Sequence, residues 1–199
     1  KERRYYLGKK VGLSFNYSQG ADSFRYVVLK ETEGQIVLSK LEAEMFKGMY
    51  ETIFPEIPEW QKRVEEEVNK YKLIRNLFDF PFRITSHIDA GLIRKAIAWK
   101  AQSTIGVLAA KAMVKMQLWS EDHLSTGCDI LGNVHDSVFL QCYPEALDEV
   151  DEALKSSLDW EFESPYDGES FRLKTEASVG KNLAKFDADE NPEGLIERK

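Results

Sequence analysis

Cysteine is nearly absent from this chain: 199 residues contain two, Cys128 and Cys142, and histidine occurs three times. Two cysteines in a chain this long do not make a disulfide scaffold, and they fit reduced intracellular thiols better. They lie symmetrically about His135, so a hairpin turning there could set them opposite each other. No CxxC or HxxxH spacing accompanies them, which argues against zinc. Long apolar runs are missing too. None approaches the roughly 20 residues that a membrane-spanning helix needs. There is no internal repeat, no low-complexity tract and no signal-like apolar block at the start. Residue 1 is Lys rather than Met, so the sequence is expected to be a segment of a longer chain.

What is present is a globular composition, 43% hydrophobic and 31% charged, sufficient for one large domain or two subdomains. The net charge of −7 argues weakly against a nucleic-acid partner, but it averages over two unlike halves. Residues 1–100 carry 18 Lys and Arg against 14 Asp and Glu, whereas residues 101–199 carry 9 against 20. A basic front half leaves room for a local phosphate-binding surface.

Helix signals recur along the chain. "KERRYYLGKKVGLSFNYSQGA" tolerates a helix despite Gly8 and Gly12. "SKLEAEMFKGMYETIF" opens on a capping box, Ser39 with Glu42, and repeats Leu41, Met45, Met49 and Ile53 at intervals of four. After the break at "FPEIP", Trp60, Val64, Val68 and Tyr71 mark another helix, whose Glu65-Glu66-Glu67 run is a solvated face rather than a metal site. Pro81 makes "LIRNLFDFPFRI" extended or hairpin-like. Asp89 is a plausible N-cap for the longest helix. There Ile97, Ala101, Ile105, Leu108, Ala112 and Met116 form an apolar stripe, and Arg94, Ala98 and Gln102 line another face. "PEALDEVDEALKSSLDW" directs Leu147, Val150 and Leu154 inward. "SFRLKTEASVGKN" alternates as one half-buried strand. Its Gly180-Lys181 pair is no P-loop, because Thr175 stands where the leading glycine would be. Beyond Lys185 the acidic tail is expected to fray.

Three features could carry chemistry, each with a plainer alternative. Lys9, Leu13 and Tyr17 recur every four residues. The lysine could hold a phosphate as a point charge and the tyrosine could stack on a base, or the three are one solvated cation and two core residues. Arg94 and Gln102 suit contact with a nucleic-acid backbone or minor groove, or form an ordinary polar face. In "NVHDSVFLQC" a His-Asp pair interrupts two apolar runs. Aspartate is depleted in strands, so the pair reads as a hairpin tip, where Asp136 would be a turn former or an exposed ligand.

Taken together these segments resemble the family A DNA polymerases, in phage-type form. "GKKVGLSFNYSQGA" resembles the family's nucleotide-binding fingers helix, and "YETIFPEIPEW" its Tyr/Phe-Pro-x-x-x-x-Trp stretch. "RKAIAWKAQSTIGVLAAKAMVKM" is similar to its helix built around Gln-Gly-Thr-Ala-Ala-Asp. "VHDS" resembles the catalytic hairpin Val-His-Asp-Glu, and "LKTEASVGKNL" the closing strand. The five occur in the family's order across nearly the whole chain.

The resemblance implies an α+β segment of a right-hand polymerase: helical fingers over residues 1–72, then an antiparallel palm sheet with packed helices over 73–199, the catalytic hairpin at 129–142. It implies that Lys9 and Arg4 meet the incoming dNTP triphosphate, that Leu13 senses the sugar and that Tyr17 stacks at the templating site. Arg94, Gln102 and His135 would touch primer–template DNA. Asp136 would be the catalytic metal ligand, with two Mg²⁺ ions (Mn²⁺ a possible substitute) supporting in-line nucleotidyl transfer to the primer 3′-hydroxyl. A cytoplasmic location, in a bacterial cell or phage-infected host, goes with this. The sequence departs from the pattern at Ser18, where the family has glycine, at Tyr5, where it has arginine beside what is here Arg4, and at Ser137, where it has glutamate. The arginine-rich turn reads "FDFPF". The family's other metal-binding aspartate lies upstream of the fingers helix, so the missing N-terminal part of the same polymerase is an implied partner. A non-catalytic nucleic-acid-binding module on the same scaffold is the alternative.

Overall fold

The computed structural model describes residues 2–163 and 168–198, the side chain of Glu2 excepted. Among the described residues four α-helices come first, two strand pairs follow with a long helix between them, and a sixth helix precedes four short strands, an α+β arrangement. The chain divides into two compact units, residues 1–104 and 105–199. Among the described residues no helix is long and apolar enough to cross a membrane.

The first unit opens with α1 (Glu2–Asn16), α2 (Ala21–Glu31) and α3 (Lys40–Ile53). Gly8 and Gly12 each cost α1 about 1 kcal/mol of helix propensity. The helix forms because Leu7, Val11 and Phe15 pack on Phe24 and Val28 of α2 and on Ala43 and Tyr50 of α3. Sequence pattern alone does not pick out α2, which owes its place to this packing. At α3 the capping box is present as expected: the Glu42 amide donates to Ser39 Oγ at 3.2 Å, and the Ser39 amide to Glu42 Oε2 at 2.8 Å. The four-residue stripe that argued for this helix, however, faces outward. Leu41, Met45, Met49 and Ile53 are each more than half exposed, and the buried side is Ala43 and Tyr50.

A second core cluster joins α4 (Glu56–Tyr71), the hairpin of β1 (Leu73–Arg75) and β2 (Pro81–Arg83), and the start of α5 (Ala90–Asp122). Val64 and Val68 are buried as expected, while Tyr71 is exposed. Pro81 sits at the first position of its strand, where a missing amide hydrogen is tolerated. Asp89 caps α5, its Oδ1 accepting from the Leu92 amide at 2.8 Å. The buried side of α5 runs through Ala96 and Ile97, then Leu108, Ala112 and Met116, but Ala101 of the expected stripe is exposed.

In the second unit β3 (Asp129–Val134) and β4 (Ser137–Gln141) form an antiparallel hairpin. It packs with α6 (Leu147–Leu158) around Met116, Cys128 and Val150. The expected palm sheet is not one sheet: among the described residues the strands pair only two by two. The expected single strand across 170–179 is also two, β6 (Ser170–Arg172), paired with β5 (Glu161–Glu163), and β7 (Ala177–Val179). Nor does the tail fray. It turns back so that β8 (Ile196–Arg198) pairs with β7. Two glycines permit the close approach: a Cβ on Gly180 would lie 2.6 Å from the Gly194 carbonyl oxygen, and one on Gly194 would lie 2.6 Å from that of Lys185.

Candidate functional site

The open face of α1 carries the first candidates. At 3.6 residues per turn Tyr5, Lys9 and Leu13 fall within about 80° of one another, whereas Arg4 lies about 140° round from Lys9. Tyr5, Lys9 and Leu13 are exposed, and a Cβ on Gly8 or Gly12 would meet nothing. Lys9 makes no hydrogen bond or ion pair among the described residues. Its neighbour Lys10 differs: its ammonium donates to Glu31 at 2.6 Å, and Tyr6 donates to the same carboxylate at 3.0 Å. Lys10 above all, then Tyr6, holds the Glu31 carboxyl below its usual range against the opposing effect of burial. The Tyr6 phenol is pushed up to about 12, by burial first and by Glu31 second. One lysine of the pair is therefore committed to the fold and the other is available.

The end of α1 shows what the departure at Ser18 costs. The Ser18 amide donates to the Phe15 carbonyl at 3.1 Å and the Gln19 amide to that of Ser14 at 2.9 Å, the two bonds of a Schellman terminus. Its C′ residue must be left-handed, and Ser18 has φ 57°. Glycine enters that region without a steric penalty; serine does not. Gln61 braces the same terminus from α4, its amide donating to the carbonyls of Phe15 at 2.6 Å and Asn16 at 3.0 Å. Tyr17, half-buried at this terminus, is thereby held at a fixed point. Gln61 is invisible to sequence reasoning because it acts from 45 residues away.

Arg94 and Gln102 are exposed on α5 with half-buried Ala98 between them. Eight residues of helix separate the outer two, about 12 Å at 1.5 Å per residue. Both belong to the first unit, as do Lys9, Leu13 and Tyr17.

His135 and Asp136 are the two-residue connection of the β3–β4 hairpin, because Val134 pairs with Ser137. Within the pair only His135 has positive φ, 56°, which suits a tight hairpin turn matched to strand twist. Asn133 fastens the tip: its amide nitrogen donates to the His135 carbonyl at 3.3 Å and the Ser137 carbonyl at 3.1 Å. The only sequence cue to this brace is an asparagine next to a turn. A register shift between Ile130 and Gly132 makes a bulge lower down, of the kind that re-aims a strand end. Asp136 is exposed, and its carboxylate makes no hydrogen bond or ion pair among the described residues. Those residues contain no group of three or more His, Cys, Asp or Glu side chains able to hold a metal. At the hairpin tip Asp136 presents one carboxylate, a hard oxygen ligand of the kind that Mg²⁺ takes. The candidates lie on three separate elements: Arg4, Lys9, Leu13 and Tyr17 on or at the end of α1, Arg94 and Gln102 on α5, and His135 with Asp136 at the hairpin tip.

No protein-family profile matches the chain, and no curated protein does. Among solved structures, the chain is similar to the POL domain of Pol1 from M. smegmatis in complex with DNA primer-template and dNTP, with a TM-score of 0.62 and 16% identity. The likeness covers 78% of this chain and 27% of that one, so this chain spans about a quarter of the matched protein. The α+β fold expected from the sequence is present, and it resembles part of that POL domain.

Proposed function

We propose that the chain is the fingers-and-palm part of a template-directed DNA polymerase that transfers a nucleotide from dNTP to a primer 3′-hydroxyl. The observation that carries this reading is the state of the motif residues on a polymerase-like fold. Lys9 and Asp136, the two that would meet triphosphate and metal, are exposed and unpaired while their neighbours are tied down. Lys9 would place a positive charge on the triphosphate, and Arg4 could add a second from another side of the helix. Leu13, one turn on, would lie along the sugar. Tyr17 would stack at the templating base, fixed there by the Schellman terminus and Gln61. Arg94 and Gln102 would span the primer–template minor groove. His135 would touch the primer end, and Asp136 would supply one carboxylate to a Mg²⁺ site completed by residues outside this chain. When bound, such ions lower the charge of the transferring phosphoryl group and favour the primer hydroxylate.

A second reading has its own support. With a single carboxylate at the tip and Ser137 beside it, the chain could bind primer–template without catalysing transfer. Primer extension by the polypeptide that carries this chain, with and without Mg²⁺, separates the two. Metal-dependent extension supports the polymerase. Salt-sensitive DNA binding with no extension supports the binding module.

A further inference from the structure

The two cysteines flank the last paired residues at the foot of the hairpin and belong to one core cluster. The ladder ends at the pair of Asp129 with Gln141, and Cys128 and Cys142 are the next residues out on either side of that pair. Below them the Tyr143 amide donates to the Thr126 carbonyl at 2.9 Å, so the two segments are still held together there. Residues directly opposite in an antiparallel pair share a face, with Cβ atoms about 4.5–5.5 Å apart. Disulfides are made between Cβ atoms about 3.5–4.5 Å apart, so closing the bond draws the two segments slightly together. Both thiols are free and both belong to the cluster of Met116 and Val150. Their surroundings differ: Cys128 is 7% exposed, whereas Cys142 is half-buried.

We propose that Cys128 and Cys142 are a reversible redox clasp at the base of the hairpin, closed by thiol–disulfide exchange with a low-molecular-weight disulfide. The more exposed Cys142 thiolate attacks one sulfur of the small disulfide and releases one small thiolate. Cys128, deprotonated in turn, attacks the Cys142 sulfur of the mixed disulfide, forming the Cys128–Cys142 bond and releasing the second small thiolate. The protein loses two protons and two electrons, and the small disulfide takes them up to become two thiols. Burial raises both thiols, and the Cys142 thiol raises that of Cys128 further, while the nearby Arg198 cation works in the opposite sense on Cys142. The order of attack follows from this as well as from exposure. The closed clasp ties the two strands below the bulge, leaving the tip on a covalent ring. This inference is independent of the polymerase reading.

The test uses the 199-residue chain in graded mixtures of reduced and oxidised glutathione, with acid quench, maleimide labelling of residual thiols and intact mass. Both thiols should disappear together, giving a monomer lighter by two hydrogens and free of lasting glutathione adduct. The closure constant should be at least about tenfold larger in native buffer than in urea, and the closed form should resist urea by the same factor. Cys128→Ser should stop the reaction at a mixed disulfide on Cys142. The native-against-urea comparison needs no variant, so a poorly folding mutant does not blunt it. Thiols that stay reduced in native buffer, separate adducts without ring closure, or a closure constant no larger than in urea would overturn the clasp.

Discussion

Replacing each lysine of the Lys9-Lys10 pair with alanine separates fold from function on adjacent residues. Lys9 is exposed and unpaired, so Lys9→Ala removes nothing from the folded chain, and its urea midpoint should stay put. A charge-assisted contact to phosphate contributes about 1.5–3 kcal/mol, which is roughly 10- to 150-fold in kcat/KM for dNTP. Lys10 is the reverse. Its ion pair with Glu31 has side chains 22% and 42% exposed, so its loss should cost under about 1 kcal/mol of stability and leave nucleotide addition within about twofold. The kinetic assay is single-nucleotide incorporation by the polypeptide that carries this chain, with urea melts of the chain itself. A large kinetic effect at Lys10 with none at Lys9 would show that the nucleotide does not meet this face of α1.

Other outcomes follow from the same geometry. Ser18→Gly should stabilise the chain by about 1 kcal/mol, since it relieves a left-handed residue at a Schellman C′ position; a lower urea midpoint would refute that account. The Tyr6 phenol, raised to about 12, should contribute stability fully below its ordinary value near 10, lost as pH rises through about 12. Glu31, lowered chiefly by Lys10, should contribute above the ordinary carboxylate value, lost as pH falls through its lower folded one. Ultraviolet titration of the tyrosines, with Tyr6→Phe as control, checks the first of these. Gly180→Ala should drive a Cβ into the Gly194 backbone and release β8, seen as faster proteolysis after Lys185. Leu13, which has no hydroxyl to replace a missing 3′-hydroxyl, should discriminate against dideoxynucleotides, and Leu13→Tyr should relax the dNTP-to-ddNTP ratio of kcat/KM; an unchanged ratio would remove Leu13 from the sugar.

Local signals were readable in the sequence and distant ones were not. The Ser39–Glu42 capping box, the Asp89 cap and the strand-opening Pro81 act within a few residues, and each stands where its chemistry directs. The stripe of Leu41, Met45, Met49 and Ile53 shows the limit of periodicity: it establishes a helix without saying which side is inside. Here Ala43 and Tyr50 take the core because Phe15 and Phe24 come to meet them. The acidic composition of the tail hides the part played by Gly180 and Gly194, whose close backbone approach lets β8 pair with β7. At the candidate site, the His-Asp tip was legible because aspartate sits badly in a strand. Gln61 and Glu31 were not, since their partners lie on other helices.

The most direct test of the central claim is Asp136→Asn in the polypeptide that carries this chain, assayed for single-turnover nucleotide addition and for primer–template affinity. The amide keeps the shape of the tip and the Asn133 brace but withdraws the negative ligand. Nucleotide addition should fall by at least about a hundredfold, with DNA affinity within a few-fold of the parent. Near-normal turnover in the variant would contradict the account.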